Sequence, residues 1–308
     1  MKNHSATVGR FAPTPSGRMH LGNVFAALVA WLSVRHDNGH LVLRMEDLDT
    51  QRTSPEYADI LRQDLLWLGL DWDEETQPQS QRSEIYREYF EKLEGMGLLY
   101  PCYCTRSQLH SVNAPHLSDG TYVYTGTCRN LSEAERAAFN RAPAWRVKVD
   151  DSVWTFRDKI QGEYTENLAT HCGDFVVRRA DGVYVYQLAV TIDDALAGVN
   201  QVVRGMDLLS SAPRQMYLQS LLGFPHPEYA HVPMLLAPDG RRLSKRDKDL
   251  DLGYLREHTT PEKLIGVLAA AAGLLDAPIP ISAKELASLF SFDKIRGDAI
   301  YLDGKTLF

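Results

Sequence analysis

Arg10-Phe11-Ala12-Pro13-Thr14-Pro15-Ser16-Gly17-Arg18-Met19-His20-Leu21-Gly22-Asn23 lies between a short strand pattern, Ala6 to Gly9, and an alanine-rich apolar run, Val24 to Val34, without Pro or Gly. The run reads as a helix, so this is a strand-to-helix joint. Pro13 and Pro15 fix φ and stiffen it. Gly17 and Gly22 allow close approach to the backbone. A turn opening on the positive end of a helix suits an anion, and His20 is placed to donate to a phosphate oxygen. A plain βα turn with a helix-capping histidine accounts for the same residues.

Downstream the pattern repeats. Leu41 to Met45 reads as a strand running into Glu46-Asp47-Leu48-Asp49, and Ser54-Pro55-Glu56 opens a helix. Tyr57, Ile60, Leu61, Leu65 and Leu68 recur at helical spacing, with Leu66 and Trp67 broadening that face. A further helix spans about 83–96, with Ile85, Tyr89, Phe90 and Leu93 inward. Strand, helix, strand, helix predicts a doubly wound α/β sheet, with the acidic strand end at its carboxyl edge.

Near residue 100 the period changes. Trp145–Val149 and Val153–Phe156 alternate like antiparallel strands, and Phe175–Arg179 with Val183–Tyr186 reads as a hairpin. Residues 102–182 are therefore an expected inserted α+β subdomain. Cys102, Cys104 and Cys128 supply three thiolates, one short of a tetrahedral zinc site, for which His110 or His116 is the ordinary fourth ligand. Cys172 stands apart and reads as a buried thiol. The parallel pattern resumes with a helix near 187–197, a strand at Gln201–Gly205, a helix at 212–222 and a strand at His231–Leu236. A basic stretch, Arg241 to Lys248, and short helices follow.

The net charge of −7 excludes a surface that attracts polyanions everywhere, but a local basic strip remains compatible with tRNA. The N-terminus has no apolar signal core and no apolar run is long enough to span a bilayer, so a cytoplasmic enzyme is the expectation.

Taken together, these features resemble the class I aminoacyl-tRNA synthetases. His20-Leu21-Gly22-Asn23 resembles their first signature, normally His-Ile-Gly-His. Arg242-Leu243-Ser244-Lys245-Arg246 resembles the second, normally Lys-Met-Ser-Lys-Ser. Arg10–Pro13, Pro15–Gly17 and Arg44–Asp49 narrow the resemblance to the glutamyl and glutaminyl branch, over about residues 6 to 250.

The resemblance implies a Rossmann-type catalytic domain over 1–250, interrupted by the zinc-binding 102–182 insertion facing a tRNA acceptor end. It implies that His20, Gly22, Asn23, Arg242, Ser244 and Lys245 hold ATP with Mg2+, with His20, Asn23 and Lys245 catalytic. Arg10 to Thr14 (Phe11, Ala12 and Pro13 included), Glu46, Tyr186 and Arg204 would form the amino-acid pocket. Two arginines suit a dicarboxylate, so L-glutamate is expected over glutamine. Val190 departs from the polar residue common at its position. In Tyr124-x-x-x-Cys128 the resemblance makes Tyr124 the fourth ligand of one structural zinc.

Residues 251–308 form a short helical region, too small for an anticodon-binding domain. That points to the truncated branch of glutamyl-tRNA synthetases, which acts on the queuosine base in the anticodon of tRNA(Asp); a monomer is expected for this chain. A truncated enzyme charging the tRNA 3′ end and a non-catalytic tRNA-binding paralogue are the alternatives.

Overall fold

The computed structural model describes residues 6–109, 123–241 and 251–302. Its first half runs β1 (Val8–Phe11), α1 (Leu21–His36), β2 (His40–Leu43), α2 (Pro55–Trp67), β3 (Glu74–Glu75) and α3 (Ser83–Gly95). The inserted part holds β4 (Leu99–Cys102), α4 (Arg106–Leu109), α5 (Glu133–Ala137), β5 (Ala144–Val147), β6 (Val153–Asp158), β7 (Gly162–Asn167), α6 (Leu168–His171) and β8 (Val176–Arg178). Then come α7 (Tyr186–Leu196), β9 (Gln201–Gly205), α8 (Ser211–Leu222), β10 (Glu228–Val232), β11 (Leu235–Leu236), α9 (Leu252–His258), α10 (Pro261–Ala272), α11 (Ala283–Ala287) and β12 (Ile300–Tyr301).

Five strands form a wholly parallel sheet in the order β10-β9-β1-β2-β3. The chain leaves β1 toward β2 on one side and later returns to its other side as β9. That reversal makes a crevice beyond the carboxyl ends of β1 and β9, where doubly wound sheets bind ligands.

Strand alternation divides the sheet chemically. Leu41, Leu43, Val203 and Val232 share one apolar core with α1. The register opposes Arg10 to Val42 and Arg204 to His231, so Arg10, Arg44, Arg204 and His231 belong to the other face. All four are buried. One face of the sheet is thus apolar, and the other sets these four buried charged or polar side chains among apolar Val42, Val202 and Tyr229.

α1 begins at Leu21, three residues before the expected start, because His20 caps it. It is buried on nearly every side, as an all-apolar helix must be. Its outer side is covered by α10, α11 and β12: Leu264, Leu268, Leu286 and Ile300 belong to the same core as α1. α2 has a narrower buried face than its periodicity suggests: Leu61 and Leu65 are buried, whereas Leu66 is 59% exposed.

Two expectations need correction. The strand expected at His231–Leu236 is two strands. β10 starts at Glu228 and ends at Val232, and β11 pairs with β12 rather than with the main sheet. Pro233, which has no N–H for a ladder, stands between them. The hairpin expected up to Tyr186 stops early. Arg179 N–H donates to Val183 O at 2.8 Å and Arg178 bridges Tyr184, but Tyr186 is the first residue of α7.

The inserted part is antiparallel, as expected, with a β4-β5-β8 sheet and a separate β6–β7 hairpin. Its sheet starts at Leu99. Among the described residues no helix is long and apolar enough to cross a membrane.

Candidate active site at the switch point of the sheet

The stretch after β1 runs alongside the strand end after β2. Phe11 O accepts from Arg44 N–H (3.0 Å), Pro13 O from Glu46 N–H (2.9 Å) and Pro15 O from Ser54 N–H (3.1 Å). Gly17 then turns with φ near 145°, which favours glycine. At His20 the ring folds back over the helix end. Its Nδ1 accepts from the N–H of Gly22 (3.1 Å) and Asn23 (3.4 Å), and Asn23 Oδ1 accepts from His20 N–H (3.4 Å). A Cβ on Gly22 would sit 3.0 Å from His20 Cε1, so the glycine is what lets the ring lie there. With Nδ1 accepting, the neutral ring carries its proton on Nε2. His20 is a helix cap, and it also forms part of a cavity wall.

That cavity measures about 850 Å³ and opens at the switch point. Its wall includes Arg10 to Thr14, His20, Gly22, Asn23, Glu46, Tyr186 and Arg204. Every described residue expected in the amino-acid and phosphate sites therefore lines one space. Val190 is buried in α7 and forms no part of that wall.

The buried charges are tightly cross-linked. Arg10 Nη1 donates to Val203 O (3.0 Å) and its Nε to Asp194 Oδ2 (3.4 Å). Arg204 Nη1 donates to Gln215 Oε1 (2.8 Å) and Tyr186 Oη (3.4 Å), and Nη2 to Leu208 O (3.2 Å). Arg44, wholly buried, reaches Asp194 (2.7 Å), Glu46 (3.4 Å) and Asp193 (3.8 Å). Asp193 also accepts from Gln79, Arg82 and Tyr86, each at 2.8 Å. Burial pushes the Glu46 carboxyl up to about 7, more than Arg44 and Arg10 pull it back. Asp194 stays below the usual carboxylate range despite burial, because Arg44 and Arg10 flank it.

Sequence reasoning gave no role to Arg44, Asp193 or Asp194. The signal was present: an arginine inside the apolar run Leu41–Met45, and paired acids inside the apolar helix Leu188–Ala195.

A second cluster lies in the inserted part. The sulfurs of Cys102, Cys104 and Cys128 lie within 4.8 Å of one another. Cys104 and Cys128 are 3.6 Å apart, close to the edge of about 3.8 Å that a tetrahedral zinc–thiolate site requires. Tyr124 Oη is 3.4 Å from Cys102 Sγ and 3.8 Å from Cys104 Sγ, and accepts from Cys128 N–H at 2.9 Å. Burial raises the Cys102 thiol, but the Tyr124 hydroxyl and the Arg146 guanidinium outweigh it and bring it below its ordinary value. Burial and the neighbouring sulfur push Cys104 up to about 12. The three sulfurs could hold a metal ion, and the donor set fits zinc. His110, His116, Arg242, Ser244 and Lys245 lie outside the described residues. Asp251 forms an isolated antiparallel backbone β-bridge with His20.

With this geometry in view, the comparisons with known proteins are specific. The family described as "tRNA synthetases class I (E and Q), catalytic domain" matches residues 6–270. A Symbiobacterium thermophilum protein named glutamyl-Q tRNA(Asp) synthetase is 45% identical over 97% of this chain and 97% of its own. A Nitratidesulfovibrio vulgaris protein of the same name is 44% identical over 92% of this chain and 91% of its own. The solved structure of a glutamate tRNA ligase from Elizabethkingia meningosepticum, in complex with its amino acid, superposes with a TM-score of 0.85 at 28% identity. It covers 98% of this chain and 68% of that one. The chain belongs to the class I tRNA synthetases of the E and Q type and carries their catalytic domain.

Proposed function

We propose that this protein activates L-glutamate with ATP to glutamyl-AMP and transfers the glutamyl group to the queuosine base of tRNA(Asp). The observation that carries the amino-acid half is the pair of buried guanidiniums, Arg10 and Arg204, facing one cavity with Glu46. Guanidinium binds carboxylate in a forked, charge-assisted way, and two of them suit a dicarboxylate. Glu46 takes the α-ammonium. The α-carboxylate oxygen attacks the α-phosphorus of ATP and pyrophosphate leaves. His20 Nε2–H and the N-terminus of α1 meet the phosphate charge, and Lys245 joins them from the second signature. Catalysis here is positioning plus preorganised donors. In the second step a hydroxyl of the queuosine cyclopentenediol attacks the glutamyl carbonyl, and AMP leaves.

The acceptor half is supported by the names of relatives that match almost end to end. It is tested by glutamate transfer to tRNA(Asp) with queuosine and with guanosine at the same position. Transfer only to the queuosine form is expected. Equal transfer to both, or label at the 3′ end, favours a glutamate tRNA ligase instead. Absence of glutamate-dependent ATP–pyrophosphate exchange favours a non-catalytic tRNA-binding module.

Two further outcomes follow from the site. Because Glu46 is largely protonated below about pH 7 in the free protein and must be ionised to hold an ammonium, glutamate binding releases a proton there. KM for glutamate should fall roughly tenfold between about pH 6 and about pH 8. A Glu46→Gln protein should have a high and flat KM over that range; an unchanged slope removes Glu46 from the role.

Zinc, held by Cys102, Cys104, Tyr124 and Cys128, would brace the inserted part without entering the chemistry. Cys102→Ser/Cys104→Ser protein should contain no stoichiometric zinc by elemental analysis. Tyr124→Phe should surrender zinc to a colorimetric chelator at concentrations the parent resists; equal retention excludes the phenol oxygen as a ligand.

A further inference from the structure

Arg204 is held by more than its cavity neighbours. Its Nε–H donates to His231 Nε2 at 3.0 Å, and His231 Nδ1–H donates to Asp158 Oδ2 at 2.6 Å. Arg204, His231 and Asp158 are 5%, 0% and 2% exposed, so no solvent competes for these bonds. Arg204 and His231 are register partners on β9 and β10, and Asp158 is the last residue of β6. The other carboxylate oxygen of Asp158 accepts three backbone N–H groups, from Ile160 (2.9 Å), Gln161 (2.9 Å) and His231 (3.1 Å).

We propose that Asp158 and His231 are positioning residues that fix the orientation of Arg204 through the tautomer of the imidazole. This rests on the reading that Arg204 holds a glutamate carboxylate. An arginine can only donate, so Nε2 must be the bare nitrogen and the proton must sit on Nδ1. The Asp158 carboxylate accepts that proton's hydrogen bond and so selects the tautomer that Arg204 needs. The arrangement turns a two-nitrogen ring into a one-way connector. It runs from the tip of the β6–β7 hairpin, which belongs to the inserted part, to the floor of the amino-acid pocket. The inserted part therefore takes a direct share in shaping that pocket.

Asp158→Asn is the sharp test. The amide oxygen must stay where three backbone N–H groups point, so the amide NH2 faces Nδ1. The ring then has to carry its proton on Nε2, where it meets the Nε–H of Arg204 donor to donor. Arg204 swings out of register while volume and packing are kept.

In glutamate-dependent ATP–pyrophosphate exchange, Asp158→Asn should raise KM for glutamate roughly ten- to a hundredfold, the worth of one hydrogen bond to a charged group. KM for ATP should stay within about threefold. His231→Gln, whose amide oxygen can take the Nε2 position, should keep KM for glutamate within about threefold of the parent. His231→Leu, which keeps neither bond, should resemble Asp158→Asn. This pair carries the test if Asp158→Asn does not fold. The inference is overturned if Arg204→Ala raises KM for glutamate but Asp158→Asn and His231→Leu do not. It is overturned equally if both KM values rise together, the mark of a loosened fold. If Arg204→Ala itself leaves glutamate use intact, the carboxylate reading of Arg204 falls first and this inference with it.

Discussion

Arg44→Leu should unfold at a midpoint on the order of 10 °C below the parent, a loss of about 3–5 kcal/mol. The leucine adds apolar area in a buried place, so a count of hydrophobic burial alone would forecast a gain. The electrostatics decide otherwise. Arg44 is wholly buried and lies within 4 Å of Glu46, Asp193 and Asp194. Its own ionisation is driven still higher by those acids, against a desolvation penalty that works the other way. Removing the one cation common to all three leaves carboxylates in a medium that cannot solvate them.

Arg82 and Arg10 still hold one acid each, Arg82 Nε at 2.8 Å from Asp193 and Arg10 Nε at 3.4 Å from Asp194, so the loss is not the sum of three pairs. Arg44→Lys keeps the charge without the fork and should fall between parent and leucine variant. Adding Asp194→Asn to Arg44→Leu should restore part of the midpoint, since the stranded charge is gone; strictly additive losses would show that Asp194 and Arg44 do not act on each other. Thermal or denaturant unfolding reads these proteins, together with the Asp194→Asn single variant that closes the cycle. An Arg44→Leu midpoint equal to the parent's would exclude the buried charge layer as a stabilising unit.

Arg44 also marks the limit of what the sequence makes legible. The parallel strands and their helices announce themselves through local periodicity, and the turn from Arg10 to Asn23 through Pro, Gly and His at fixed positions. The pocket residues Glu46, Tyr186 and Arg204 came through resemblance, and the cavity brings them together. What stayed hidden is the layer beneath them. Asp193 and Asp194 sit in a helix, where acidic residues ordinarily mean a solvent face, and only partners from elsewhere in the chain explain their burial: Arg10, Arg44, Arg82, Gln79 and Tyr86.

His231 and Asp158 are 73 positions apart in the chain, and nothing local to either announces the other. The break at Pro233 was visible but read the wrong way. Val232 and Leu235 look like one apolar strand until the ladder partners are known, and those partners are in different sheets. Periodicity reports which face of an element is wet. It does not report that a dry face also carries buried charge.

The largest expected effect on catalysis is at Arg10. Arg10→Ala should lower kcat/KM for glutamate in pyrophosphate exchange by about three orders of magnitude, the scale of about 4 kcal/mol for one lost partner in a desolvated charge pair. The side chain comes from the end of β1 and is pinned by Val203 O and Asp194, so it is aimed before substrate arrives. Little ordering entropy is left to lose on binding, which is why its loss should weigh so heavily.

The effect should be selective. On the proposed reading ATP meets the His20 end of the same cavity, so KM for ATP should change by less than about threefold. Preference for glutamate over glutamine should also shrink, because a site with one guanidinium fewer has less to gain from the second carboxylate. Asp194→Asn should reproduce a fraction of the loss, since it loosens the anchor but leaves the charge. If Arg10→Ala depressed glutamate and ATP use equally, Arg10 would be a part of the scaffold. If glutamine were rejected as strongly as before, the discriminating cation would have to be Arg204.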